Sequence, residues 1–221
     1  MILAIKLVII AIVAYLLGSI PFGLIFGRAI AHVDIRKFGS GNIGATNVLR
    51  TLGWKAGIPT LIMDLAKAAL AVLAGMLIMG NEPLVMYGLD VHVQAAQALA
   101  ALMAVVGHNW SIYLKFKGGK GVATFIGGLL VINPLIALAG AVIGIGIALA
   151  TRYVSLGSIL GSLAVLLIVS GLTALALIAP VYIIYILTAV AIIVYQHRAN
   201  IQRLQAGKEL KLGDKGARID N

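Results

Sequence analysis

Three polar stretches interrupt an otherwise apolar chain, and each carries groups suited to holding an anion. The first, residues 36–50, reads RKFGSGNIGATNVLR. Gly39, Gly41 and Gly44 let the backbone take positive φ and turn N–H groups toward one point. Ser40, Asn42, Thr46 and Asn47 add short hydrogen-bonding side chains, and Arg50 ends the run with a planar, permanently charged fork. Alone, this stretch reads equally well as a polar interhelical loop, because one Gly-rich segment is a weak signal. The second stretch, residues 107–124, is GHNWSIYLKFKGGKGVAT. Its Gly118, Gly119, Lys120 and Gly121 stand directly before an apolar helix, where N–H groups and the helix dipole favour phosphate. A basic loop lying on anionic lipid explains Lys115, Lys117 and Lys120 but not the glycines. The spacing of a Walker loop is missing. The third stretch follows the last apolar run with His197, Arg198, Asn200, Arg203 and then Glu209. His197 and Asn200 share a face if the helix continues, and an imidazole at headgroup level can accept a proton or bind a phosphate. The plainer reading of His197 is a snorkelling end residue, and of Glu209 a salt bridge.

Smaller features carry both readings too. Asp64 and Lys67 lie three apart inside an apolar run, a pair that neutralises itself in lipid. Intramembrane charges are functional candidates, and structural support is an equal reading. Ser155, beside Arg152 in a short turn, fits a helix cap. His32, His92 and His108 have no partners at metal-ligand spacing, so no metal and no cofactor is expected. The chain has no cysteine, which excludes disulfides, thiolate sites and a cysteine nucleophile.

These residues need a scaffold, and composition fixes its class. Of 221 residues, 62% are hydrophobic and 11% charged, against about 25% charged in soluble domains. The expected fold is therefore all-α, a polytopic integral membrane protein. Residues 2–26 form the first span, too long and without the cleavage site of a secretory signal. Spans follow over 58–79 and 91–106. Residues 154–195 must be two spans, with Ala179-Pro180 the natural break. Residues 121–150 are ambiguous. One helix of that length would measure about 45 Å at 1.5 Å per residue, against a hydrocarbon core of about 30 Å. Two helices would break at Asn133-Pro134, and both would be short.

Charge decides. The linker 28–55 holds five basic residues and one acid, the linker 107–120 three lysines, and the tail from His197 six basic residues, whereas 81–90 holds two acids and no base. The positive-inside rule then requires seven transmembrane helices, several of them short, with the amino terminus outside and the carboxyl terminus in the cytoplasm. The chain reads as a single membrane domain over 1–221, with a basic cytoplasmic tail from about 197. A net charge of +10 fits anionic membrane lipid rather than nucleic acid, since the loops lack stacking aromatics.

With the three loops in place, the chain resembles the bacterial membrane acyl-phosphate:glycerol-3-phosphate acyltransferase family. The resemblance rests on SGNIGATNVLR (40–50), GHNWSIYLKFKGGKGVAT (107–124) and HRANIQRLQAGKE (197–209), with DLAK (64–67) and RYVSLGS (152–158) also similar. It implies transfer of a fatty acyl group from acyl phosphate to the 1-hydroxyl of sn-glycerol 3-phosphate, giving lysophosphatidate for phospholipid synthesis. It also implies seven helices and a cytoplasm-facing site in the bacterial inner membrane. The residues expected to act in catalysis are Ser40, Arg50, Lys120, His197 and Asn200. Those expected to hold phosphates are Gly41, Asn42, Gly44, Thr46, Asn47, Gly118, Gly119, Gly121 and Ser155. Glu209, Asp64 and Lys67 are expected to give structural support. The enzyme is expected to be a monomer whose base is His197 or a substrate phosphate. Among rivals, no histidine has Asp five residues on, as in acyl-CoA-dependent acyltransferases, and scattered acids cannot build a CDP-alcohol phosphotransferase. A small carrier for a phosphorylated solute is the remaining alternative, since short, broken spans suit transporters.

Overall fold

The computed structural model describes residues 1–81, 83–86, 89–90, 92–215 and 217. Among them ten α-helices follow one another: α1 (Ile2–Ser19), α2 (Phe22–Ala31), α3 (Ala45–Leu52), α4 (Trp54–Met79), α5 (His92–Asn109), α6 (Val122–Ile132), α7 (Pro134–Thr151), α8 (Val154–Ala174), α9 (Val181–Gln196) and α10 (Arg198–Gln205). A minimal antiparallel pairing of β1 (Val85–Met86) with β2 (Leu89–Asp90) connects α4 to α5. The third span, expected from residue 91, starts at His92; Val91 and Glu82 lie outside the described residues.

The first span differs from expectation. Instead of one helix over 2–26, the chain stops at Ser19 and restarts at Phe22, with Ile20 extended at φ −59°, ψ 119°. Pro21 is the cause, since it lacks an N–H and drives the preceding residue out of helical conformation. Residues 121–150 do divide at Asn133-Pro134. Asn133 Oδ1 accepts from Ile136 N at 3.2 Å, and Pro134 takes the first helical position. Only one half is short, however: α6 has 11 residues and α7 has 18.

Four segments are long and apolar enough to cross a membrane, namely Ile2–Ala31, Trp54–Met79, Pro134–Thr151 and Val154–Ala174, and the bent pair α9–α10 makes a fifth. α6 is too short for that measure, and α5 carries His92, Gln94, Gln97, His108 and Asn109 among its apolar residues. The outer faces carry exposed Leu77, Leu135, Val142, Leu149 and Leu167, as expected of a lipid-facing surface.

Small residues bring the helices together. Ala68, Ala71, Ala96, Ala100, Ala101 and Ala104 form much of the core among α1, α4 and α5. Between α7 and α8 the approach is closer still. A Cβ on Gly157 would lie 2.2 Å from Gly144 O, so only glycine fits there. The connections at one end of the bundle gather the three polar stretches, while Asn133 and the residues around Pro180 lie at the other.

Candidate functional site

The three stretches meet over one cavity of about 430 Å³. Its head is polar, with Ser40, Arg50, Lys120, His197, Asn200 and Arg203. Its deeper limb runs among Phe125 and Ile126 of α6, Ala141 and Ile145 of α7, and Gly157 and Gly161 of α8.

In the first loop, Asn47 is 2% exposed and holds the turn together. Its Oδ1 accepts from Ser40 N at 2.9 Å, and its Nδ2 donates to Phe38 O at 3.0 Å and Asn42 O at 2.8 Å. Gly39 and Gly41 take φ of 58° and 71° to make that turn. The N–H groups of Gly41 and Gly44 donate within the loop, to Phe38 O and Asn42 Oδ1. Asn42, Gly44, Thr46 and Asn47 line the cavity and Gly41 does not. The expected cradle of backbone amides is thus a frame that presents the side chains of Ser40, Thr46 and Arg50. The Asn47 amide, expected as a phosphate ligand, is occupied by the frame itself.

The second loop departs from expectation more sharply. Gly118 N donates to Asn109 O at 3.0 Å and Gly119 N to His108 O at 2.9 Å, so neither amide is free for phosphate. Neither residue lines the cavity, whereas Lys120 and Gly121 do. These glycines serve close packing: a Cβ on Gly118 would lie 2.0 Å from His108 O, and one on Gly119 2.0 Å from His108 Nε2. Gly121 takes φ 83° and opens α6.

The third stretch bends by 54° between α9 and α10, yet His197 and Asn200 both face the cavity. Lys120 Nζ donates to Asn200 Oδ1 at 2.5 Å, Asn200 Nδ2 to Glu209 Oε1 at 2.5 Å, and Arg203 Nε to Glu209 Oε2 at 2.7 Å. This chain joins the second loop to the tail through alternating charge and amide. Burial lowers the Lys120 ammonium to about 8, with Glu209 opposing and Arg203 and Arg50 reinforcing the shift. Burial also brings His197 to about 4, assisted by the Lys120 charge. For Glu209, burial pushes upward, but hydrogen bonding to Asn200, the nearby Ser155 hydroxyl and Arg203 leaves the carboxyl below its ordinary value. Ser155 Oγ stands beside it, buried, without completing a hydrogen bond of normal geometry. The Arg50 guanidinium is lowered by burial, against the pull of Asp214 and Glu209.

Asp64 and Lys67 are buried and paired at 2.7 Å. Asp64 lines the cavity and Lys67 does not. His108 joins them, its Nδ1 2.9 Å from Lys67 Nζ, and also lines the cavity. Sequence reasoning left His108 unassigned. Its signal was its place inside the second polar stretch; what hid it was a partner 41 residues away.

Fold and cavity together define an integral membrane protein with a site for an amphiphilic anion. The family described as Glycerol-3-phosphate acyltransferase matches residues 8–207, and the chain belongs to that family. A glycerol-3-phosphate acyltransferase of Thermoanaerobacter sp. (strain X514) is 43% identical over 94% of this chain and 96% of its own. One from Thermus thermophilus is 42% identical over 92% and 94%. Crystal structures of PlsY (YgiH), an integral membrane glycerol 3-phosphate acyltransferase, share the fold. Its glycerol 3-phosphate form gives a TM-score of 0.80 and its lysphosphatidic acid form 0.79, each at 35% identity over 94% of this chain and 96% of that one.

The packing of Gly119 predicts an indirect effect of substitution. Gly119→Ala drives a methyl into the His108 ring, an overpacking that costs about 1–3 kcal/mol. Thermal unfolding in detergent should show a lower Tm, and kcat should fall along with it. A selective rise in KM for glycerol 3-phosphate at unchanged Tm would instead mean that Gly119 touches substrate.

Proposed function

We propose that this glycerol-3-phosphate acyltransferase uses acyl phosphate as donor and acylates the 1-hydroxyl of sn-glycerol 3-phosphate, releasing lysophosphatidate and inorganic phosphate. The observation that carries this reading is the two-part cavity, whose cationic head adjoins an apolar limb. Arg50, Lys120 and Arg203 are the charges that meet phosphate, with Ser40 and Thr46 donating beside them. The limb between α6, α7 and α8 takes the acyl chain. Asn200 and Glu209 hold Lys120 and Arg203 in place, and Asn47, Gly118 and Gly119 shape the loops without touching substrate.

The glycerol oxygen attacks the acyl carbonyl carbon and a new C–O bond forms. The carbonyl oxygen carries the negative charge until the C–O bond to phosphate breaks, and the phosphate departs with that electron pair. The hydroxyl proton needs an acceptor. His197 Nδ1 donates to Ile193 O at 2.8 Å, which leaves Nε2 with a lone pair aimed at a hydroxyl. A histidine near 4 is a weak proton store, so His197 orients the hydroxyl and the proton ends on the departing phosphate. Positioning of two bound substrates supplies most of the acceleration.

The chain crosses the membrane seven times, as α1–α2, α4, α5, α6, α7, α8 and α9, with the site on the cytoplasmic side. The charge of the connections supports this orientation. Single cysteines at 133 and 152, introduced into a chain that has none, test it in intact cells. Reagent that cannot enter should label position 133 and spare 152, and the reverse pattern would overturn the seven crossings.

Donor choice is tested with purified protein, glycerol 3-phosphate and a chelator present. Acyl phosphate should support turnover and the matching acyl thioester little or none; equal rates would remove the role given to the leaving phosphate.

The Lys120 ammonium gives a pH dependence with a fixed sign. Its value of about 8 lies below the ordinary 10.5, so the charge is present below that pH and is lost as pH rises through it. kcat/KM for glycerol 3-phosphate, which reports the free enzyme, should fall on the alkaline side of 8. Lys120→Arg keeps its charge and should flatten that limb. An unchanged alkaline limb in Lys120→Arg would assign the titration to another group.

A further inference from the structure

Two histidines line the cavity, and their partners hold them in opposite tautomers. His197 Nδ1 lies 2.8 Å from Ile193 O. A carbonyl only accepts, so Nδ1 carries the proton and Nε2 the lone pair. His108 is the reverse. Its Nδ1 lies 2.9 Å from Lys67 Nζ, and an ammonium only donates. That ammonium also donates to Ile20 O at 2.8 Å and forms an ion pair with Asp64 at 2.7 Å. Three protons therefore meet three acceptors. Asp64 Oδ1 is 3.7 Å from His108 Nδ1, too far to draw a proton onto that nitrogen. His108 Nδ1 must accept, and Nε2 must carry N–H.

Among the described residues nothing accepts from that N–H. The His108 side chain is 4% exposed, yet it lines the cavity where Leu65 and Phe125 of the apolar limb adjoin Lys120 of the head. Gly119 lies against the ring edge at Nε2 and leaves it uncovered by any side chain. A buried donor without a partner is costly and aimed at a site it is a resource. Asp64 behind it disfavours a doubly charged phosphate at that point, whereas a neutral N–H suits an oxygen taking up charge only during reaction. The junction of head and limb is also where the carbonyl of an acyl phosphate falls.

We propose that His108 is a further catalytic residue, donating a hydrogen bond from Nε2–H to the acyl carbonyl oxygen as negative charge develops on it. The inference rests on the acyl-phosphate reading above. As the glycerol oxygen bonds to the carbonyl carbon, the π electrons move onto the carbonyl oxygen, where the His108 N–H holds them without giving up its proton. They return when the bond to phosphate breaks. Lys67 is a positioning residue, acting through His108 by fixing its tautomer.

Two measurements test this. Nitrogen NMR of ring-labelled histidine in the intact protein should find Nε2–H at His108 and Nδ1–H at His197; Nδ1–H at His108 would overturn the proposal whatever any variant does. His108→Ala should lower kcat by about 10²–10³-fold, the cost of losing one oxyanion donor, with little change in KM for glycerol 3-phosphate. His108→Gln, whose amide N–H reaches toward the Nε2 position, should recover a substantial part of that loss. Thermal unfolding and glycerol 3-phosphate binding check that both variants are folded. Turnover by folded His108→Ala within about threefold of the unsubstituted protein, or no recovery in folded His108→Gln, overturns the role, since a hydrogen-bond donor is worth far more. The kinetics use whichever acyl donor serves the unsubstituted protein. Failure of the acyl-phosphate reading therefore appears in that protein, and failure of this inference only in the variants.

Discussion

A positive charge inside an apolar bundle has to be surrounded by acceptors, and the Lys67 ammonium sets this requirement. Leaving such an ion unpaired in low dielectric costs several kcal/mol. Its three acceptors come from three parts of the chain: Asp64 on α4, His108 on α5 and the Ile20 carbonyl between α1 and α2. The Ile20 carbonyl is available because Pro21 ends the helix there. The broken first span, the buried ion pair and the orientation of His108 are therefore one arrangement. It extends to the site through His108 O, which accepts from Gly119 N one residue before Lys120. Removing any one acceptor would strand a buried charge and loosen the loop that carries the phosphate-facing ammonium.

A second network completes the head. Lys120 and Arg203 share one carboxylate, Glu209, through direct and amide-relayed contacts. Two cations and one anion leave the cluster net positive, and Arg50 adds to it. That surplus suits a site that must hold two phosphates at once. It also explains the lowered Lys120 value, because burial and neighbouring cations act together against a single compensating charge. The hydrogen bonds that fix these side chains lie within the protein, so the donors need little rearrangement when charge appears.

The sequence showed the parts more clearly than their contacts. Breaks at Pro21, Asn133-Pro134 and Pro180 follow from chemistry local to the chain, and all three are where helices end. The three polar stretches could be read as converging because charge placed them on one side. What each polar group does could not be read, because it depends on which partner claims it. Gly118 and Gly119 look like free amides in sequence and are engaged by the last carbonyls of α5. Asn47 looks like a ligand and is the staple of its own loop. His108 gave no signal of its own, since its role depends on Lys67, which lies on another helix.

The shape of the cavity bears on donor chemistry more directly than any single side chain. About 430 Å³ must serve an acyl chain, a glycerol phosphate and a leaving group, a volume near the low end of small-molecule sites. A nucleotide-sized carrier would have to remain outside and present its thioester through the opening, away from the cations that line the head. A phosphate leaving group fits within it. In an acyl phosphate only one carbonyl separates the charged group from the chain, and in the cavity only the width of the His108 ring separates Lys120 from Phe125 and Leu65 among the lining residues. The abrupt change from charged to apolar lining is thus matched by an equally abrupt change along the proposed donor. The glycines of α7 and α8 make this possible, because their backbones can line a limb that larger residues would fill.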